Sequence, residues 1–223
     1  MGDIDIDIEV VDGVHVVRMQ AGENRLNGQF VEALDEATAS VEAAAAPLVL
    51  TGEGKFFSNG LDLDWLSGNS AGAEVMFPRL YGIFARLLTF PAPTVTAVNG
   101  HAFGAGAILA AAADHRVMRE DRGYFCFPEV DLGMVMSPEF DAVLRARYPR
   151  RTHLEALATG ERYGGPGAVR AGLVDHAVPE GDLLATAITA ASAHAGKDGS
   201  HVRALKAQIH APELAVLSSL SRP

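Results

Sequence analysis

Residues 93–118 read PTVTAVNGHAFGAGAILAAAADHRVM. Thr94 to Val98 is an unbroken run of β-branched and small apolar residues, the pattern of a strand covered on both faces. Asn99 to Gly104 forms a loop, and Ala105 to Ala113 follows as a helix of very small residues. His115 to Met118 then reads as a second strand. Strand, helix and strand in this order predict a crossover unit with parallel, buried strands.

The same grammar extends upstream. Pro47 precedes a second buried strand, Leu48 to Thr51, and a glycine-rich stretch runs from Gly52 to Gly60. Phe30, Leu34, Ala37 and Val41 recur at helical spacing and predict a helix over about residues 28–46. At the start, Ile4, Ile6 and Ile8 alternate with Asp3, Asp5, Asp7 and Glu9, which predicts a half-buried strand. Asp12-Gly13 turns that strand into a second one, Val14 to Met19, after which Gly22 to Asn27 is a loop. Downstream, a helix is expected over about 72–89, broken early by Pro78. After residue 138 the pattern is helical, with one short strand at Val174 to Ala177. The chain therefore reads as α/β, with a core over 1–137 built from a loosely recurring ββα unit and a mainly helical region over 138–223.

Composition narrows the function. With 223 residues and 48% hydrophobic side chains, one sizeable core is affordable. The 18 basic residues against 28 acidic ones give a net charge of −10, the reverse of a nucleic-acid binder's surplus and a poor match to an anionic membrane surface. No apolar run reaches the ~18 residues of a spanning helix. The single cysteine, Cys126, excludes an intrachain disulfide and, set between Phe125 and Phe127, reads as a buried thiol. A reducing, cytoplasmic setting is the expectation, and the acidic N-terminus is unlike a leader peptide. The eight histidines show no metal-ligand spacing, so no metal site is expected.

Three loops could carry chemistry. Lys55 to Leu63 and Asn99 to Gly106 each follow a buried strand, and their glycines let backbone N–H groups face a ligand. The second opens a helix, whose N-terminus favours negative charge. Two such loops can supply two converging donors, the construction of an oxyanion hole. In the third loop, Phe127 to Gly133, Glu129 sits between Pro128 and Val130 and is either a base or a solvated carboxylate. Asp62 and Asp131 read as turn supports and His101 as a hydrogen-bonded structural residue. Gly100, Gly104 and Gly106 have a nucleotide-binding spacing, but it lies mid-chain rather than after the first strand, and no Tyr-x-x-x-Lys accompanies it.

Taken together, the three loops resemble the crotonase, or enoyl-CoA hydratase/isomerase, superfamily over nearly the whole chain. The segments are Asn24-Arg25-Leu26-Asn27, residues 47–63 (PLVLTGEGKFFSNGLDL) and residues 93–114. FFSNGLDL, NGHAFGAGAILA, MREDRG and PEVDLGM are most similar to peroxisomal-type Δ3,Δ2-enoyl-CoA isomerases. The resemblance implies a crotonase-like spiral of ββα units, with C-terminal helices supporting a trimer or dimer of trimers. It also implies an acyl-CoA thioester as partner, coenzyme A being part of the substrate and no separate cofactor. The implied oxyanion donors are the N–H groups of Leu61 and Ala105, and the implied base is Glu129. Asn24, Arg25, Leu26, Lys55, Asn59, Gly60, Leu63, Trp65, Gly104 and Met136 are the expected substrate contacts. Lys55, Arg25 and Lys206 are the candidates for the CoA phosphates, and Leu66 and Phe84 join the acyl tunnel. Hydratases of the family use a second glutamate, and here its position holds Ile108, which cannot move a proton. That favours an isomerase; a hydratase, thioesterase or decarboxylase, with an aspartate or Glu139 acting, and a non-catalytic acyl-CoA-binding protein are the alternatives.

Overall fold

The computed structural model describes residues 6–218. Two sheets form. The larger contains β1 (Ile6–Val11), β2 (Val14–Met19), β3 (Leu48–Gly52), β5 (Thr94–Val98), β7 (His115–Arg119) and β9 (His176–Val178), in the order β1-β2-β3-β5-β7-β9. Every pair is parallel except the β1–β2 hairpin. The smaller contains β4 (Phe56–Ser58), β6 (His101–Phe103) and β8 (Phe125–Cys126), all parallel.

The helices fill and cover this frame. They are α1 (Gly28–Ala43), α2 (Leu63–Gly68), α3 (Ser70–Leu88), α4 (Ala105–Ala112), α5 (Pro138–Arg147), α6 (Arg150–Thr159), α7 (Gly165–Ala171), α8 (Leu183–Ser192), α9 (Gly199–Ile209) and α10 (Ala211–Leu217). Leu48 and Leu50 of β3 face the main core with α1, α3 and α4, while Val49, with Val95 and Ala97 of β5, faces Leu183, Ala187 and Ile188 of α8. Both faces of the central strands are thus covered, which is why their sequences are apolar without alternation. All eight residues of α4 are buried, and at Gly106 a Cβ would come within 2.5 Å of the Ser58 carbonyl oxygen.

Several expectations shift. Ile4 and its neighbours lie outside the described residues. Ile8 and Val10 of β1 are 38% and 61% exposed, β1 being the edge strand of the sheet. α1 stops at Ala43 rather than 46, with Ala45 at positive φ. The helix expected over 72–89 begins at Ser70 and runs through Pro78, and the last strand is 176–178 rather than 174–177. β4 and β6 lie inside the first two of the three loops, β8 comes just before the third, and α2 follows the first; each is too short to show a period.

Candidate active site

The carboxyl ends of β4, β6 and β8 deliver three loops to one place. A cavity of about 290 Å³ there is lined by Asn59, Gly60, Leu61 and Leu63 from the first loop and by Phe103, Gly104 and Ala105 from the second. Pro128, Glu129, Leu132, Met134 and Arg162 complete it. Closeness comes from glycine. Gly60 has φ +80°, and a Cβ there would lie 2.7 Å from the Phe103 carbonyl oxygen and 3.4 Å from the Ala105 nitrogen. Gly104, at φ 49° and ψ −122°, swings the chain from β6 into α4, a conformation essentially reserved for glycine.

Two N–H groups are left over by this geometry. Leu61 pairs with Leu26 in a parallel bridge that uses the Leu26 N–H to Gly60 O (2.8 Å) and the Asp62 N–H to Leu26 O (3.1 Å), so the Leu61 N–H stands outside the ladder. Ala105 opens α4, and a first-turn N–H has no partner within its own helix. Facing them is Glu129, whose Oε1 lies 3.5 Å from where a Gly104 Cβ would stand. Its Oε2 is buried without a hydrogen-bond partner, and burial pushes the carboxyl above its ordinary value of 4.5. A basic carboxylate beside two free donors can take a proton from a carbon acid while the donors hold the developing oxyanion. Ile108 is fully buried in α4 and adds no second acid.

The other expected contacts divide. Asn59, Gly60, Leu63 and Gly104 line the cavity. Asn24 is fully buried, and its side chain is spent on the Met19 and Phe57 carbonyls (3.2 and 2.9 Å) and the Ala21 N–H (2.9 Å), so it holds the loop and offers nothing to a ligand. The Leu26 side chain is core. Arg25 pairs with Glu23 at 2.7 Å and with Asp64 at 3.7 Å, and Asn59 donates to the same Glu23 at 2.9 Å. Lys55 is exposed, its ammonium 5.4 Å from the Phe56 ring centroid. The Lys206 ammonium is held by Asp114 (2.6 Å) and the Ala92 carbonyl (3.1 Å), which ties α9 to the segments flanking β5 and β7. Trp65 lines a separate cavity, Met136 packs against the core and Phe84 is entirely within it, so none of them is among the residues lining this cavity.

The supporting residues behave as follows. Asp62 caps α2 through the Trp65 N–H (3.1 Å). Cys126 is buried, and burial pushes its thiol up to about 11, so it is chemically quiet. His101 is not the hydrogen-bonded residue expected. Its Nδ1 is buried without a partner, and its ring stacks on Phe103 at 5.2 Å beside Phe56 and Tyr124. Burial first, then Lys55, Arg122 and Arg162, hold it below the usual histidine value. Sequence reading did not single out Phe103, Leu132, Met134 or Arg162 as contacts. Phe103 stood inside a flagged loop. Arg162, whose guanidinium lies over the Phe103 ring at 5.8 Å, comes from the α6–α7 connection about sixty residues away and carries no local signal. Among the described residues no group of three or more His, Cys, Asp or Glu side chains could hold a metal, and no helix is long and apolar enough to cross a membrane.

Residues 9–219 match the enoyl-CoA hydratase/isomerase family. The enoyl-CoA delta isomerase 2, peroxisomal, of Arabidopsis thaliana is 38% identical over 166 residues, 70% of this chain and 69% of that protein. The enoyl-CoA delta isomerase 3 of the same plant is 35% identical over 199 residues, 86% of this chain and 84% of its own. The apo structure of an enoyl-CoA isomerase from Mycobacterium tuberculosis superposes with a TM-score of 0.88 at 28% identity, covering 96% of this chain and 95% of the other.

Proposed function

The chain belongs to the enoyl-CoA hydratase/isomerase family, and on that premise we propose that it is an isomerase that converts a 3-enoyl-CoA to the 2-enoyl-CoA. The observation that carries this reading is that Glu129 is the one carboxylate lining the cavity, with Ile108 where a second would be needed. Adding water across a double bond requires an oriented, activated water, normally held between two carboxylates. Moving a double bond needs one group that takes a proton from one carbon and returns it to another.

In this mechanism the thioester oxygen accepts from the Leu61 and Ala105 N–H groups. Glu129 removes a C2 proton, and the electron pair delocalises into a dienolate whose oxygen the two donors stabilise. Loss of one such donor typically costs about 10²–10³ in rate. Protonated Glu129 then delivers its proton to C4, and the double bond settles between C2 and C3. The raised basicity of a buried carboxylate suits both halves of the exchange. The isomerase names of the two plant relatives support the same choice.

The deciding experiment is turnover of a 3-enoyl-CoA and of a 2-enoyl-CoA by the pure protein and by Glu129→Gln. The wild type is expected to isomerise the first much faster than it hydrates the second. Glu129→Gln is expected to lose about 10²–10⁴ in isomerisation, the usual worth of a positioned acid–base group, while still binding acyl-CoA. Wild-type isomerisation by the variant would remove Glu129 from the mechanism, and dominant hydration would replace the isomerase reading with a hydratase.

A further inference from the structure

Among the described residues, Arg162 is the one cation lining the active-site cavity, and no step of the isomerisation uses it. Its surroundings are mostly apolar. Leu61, Leu63, Phe103, Leu132 and Met134 share the wall, and the Asn59 side chain is spent on Glu23 at 2.9 Å. Among the described residues Arg162 pairs with no carboxylate. Asp131, on the neighbouring loop, lies instead against Gly160, where a Cβ would come within 2.9 Å of its Oδ2. Nor does Arg162 serve the base: burial raises the Glu129 carboxyl, and no cation opposes it. The guanidinium lies over the Phe103 ring, 5.8 Å from its centroid, and keeps its N–H donors for another partner. Lys55 and Arg122 stand near the same flank, around His101, so it is locally positive on a chain of charge −10.

The order of the small sheet decides which part of a thioester meets this cation. β4, β6 and β8 lie side by side, so the loops that follow them line the cavity in the same order. The Leu61 and Ala105 donors belong to the first and second loops, and Glu129 to the third. A thioester whose oxygen meets the donors must turn both C2 and C4 toward Glu129. Its acyl chain therefore runs from the first loop toward the third, where Leu132, Met134 and Arg162 stand beyond C4. A cavity of about 290 Å³ takes a thioester and a short acyl group, and the phosphates of the nucleotide lie outside it.

We propose that Arg162 pairs with a carboxylate at the far end of a short acyl group, so that the preferred substrate is the CoA monothioester of a 3-enedioic acid. This rests on the isomerase reading of the cavity. Arginine offers a carboxylate a bidentate fork and offers a methyl end nothing comparable. Leu132 and Met134 are 56% and 45% exposed, so a carboxylate bound there keeps part of its water.

The experiment compares hex-3-enoyl-CoA with the CoA monothioester of hex-3-enedioic acid, two substrates that differ only in a methyl or a carboxylate at C6. Turnover is measured for the wild type, Arg162→Gln and Arg162→Lys. Calorimetry on the same proteins gives the affinities of the saturated pair, hexanoyl-CoA and hexanedioyl-CoA. The wild type is expected to favour the diacid thioester by about tenfold or more, in kcat/KM and in affinity, the scale of a charge-assisted hydrogen bond. Arg162→Gln should erase that ratio. Arg162→Lys, which keeps the charge and loses the fork, should keep part of it. Equal use of the two thioesters by the wild type overturns the proposal. So does an equal loss for both in Arg162→Gln, which would assign Arg162 to the CoA phosphates. A preference for hexanedioyl-CoA that Arg162→Gln abolishes, without isomerisation of either substrate, supports the role of Arg162 and overturns the isomerase reading instead.

Discussion

Glu129 lines the cavity, and its Oε2 is buried without a donor. Its folded-state pKa is raised by burial, which fixes two signs. A base must be ionised, so kcat/KM for isomerisation should fall as pH drops through a midpoint above 4.5, and Glu129→Gln should erase that limb from whatever activity remains. For stability the sign is opposite. A group with raised pKa favours folding fully below its unfolded value and loses that contribution as pH rises through the folded value. At pH 7 Glu129→Gln should therefore be the more stable protein, by on the order of 1 kcal/mol, the scale of a buried, unsatisfied polar atom. Thermal melts at pH 7 and pH 4 check it: the variant's advantage should shrink at the lower pH. Gly104 gives a complementary result. Gly104→Ala puts a Cβ on a backbone that side chains rarely adopt and 3.5 Å from Glu129 Oε1. It should lower kcat about 10²-fold or more by displacing the Ala105 donor, with normal acyl-CoA affinity expected only if the donor has not moved. In sequence Glu129 stood out as an acid set between Pro128 and Val130, open to reading as a base or as a solvated carboxylate. The fate of each cation was not: Arg25, Lys55 and Lys206 look alike on paper, and only the fold decides which meets Glu23, which water and which Asp114.

At the scale of elements, long units were readable and short ones were not. β3 and β5 declare themselves by apolar runs, and α1 by Phe30, Leu34, Ala37 and Val41. The small sheet escaped notice because its strands have three, three and two residues, below the length at which alternation can be seen. α2 escaped for the same reason, although Asp62 is an N-cap signal. The attachment of α9 was the opposite case, a polar contact hidden in a helical pattern. Lys206 reaches Asp114, which also takes the Thr94 N–H and hydroxyl (3.0 and 3.1 Å) and lies 3.5 Å from Arg147. Burial alone would raise Asp114, but Lys206 and Arg147 outweigh it and hold the carboxyl below its ordinary 3.8. That contribution to stability is present above 3.8 and is lost as pH falls through the lower folded value. Lys206→Ala should cost about 2 kcal/mol in urea unfolding, less than for a fully buried pair because both groups keep some solvent. Its KM for acyl-CoA should stay within about twofold of wild type; a large rise in KM would return Lys206 to the ligand.

Over the whole molecule, the charge of −10 now has a sharper meaning. Many of the arginines and one lysine are tied into ion pairs, as in Arg86 with Asp35 and Glu42, or Arg119 with Asp121 and Glu180. Near the cavity, Arg162 stands over Phe103 and exposed Lys55 over Phe56. An anionic thioester approaching from afar therefore meets repulsion from the molecule as a whole and attraction only close to the mouth. Ionic strength separates the two ranges. At about 10 mM the Debye length is about 30 Å, large enough for the ligand to sense the full negative charge; at about 150 mM it is about 8 Å, and only nearby groups count. The association rate of butanoyl-CoA, measured by stopped-flow displacement of a bound reporter ligand, should rise severalfold across that interval before levelling. Ordinary electrostatic steering gives a fall. A monotonic fall here would mean that Arg162 and Lys55 govern capture even at long range, and that the acidic surface lies on faces the ligand never approaches.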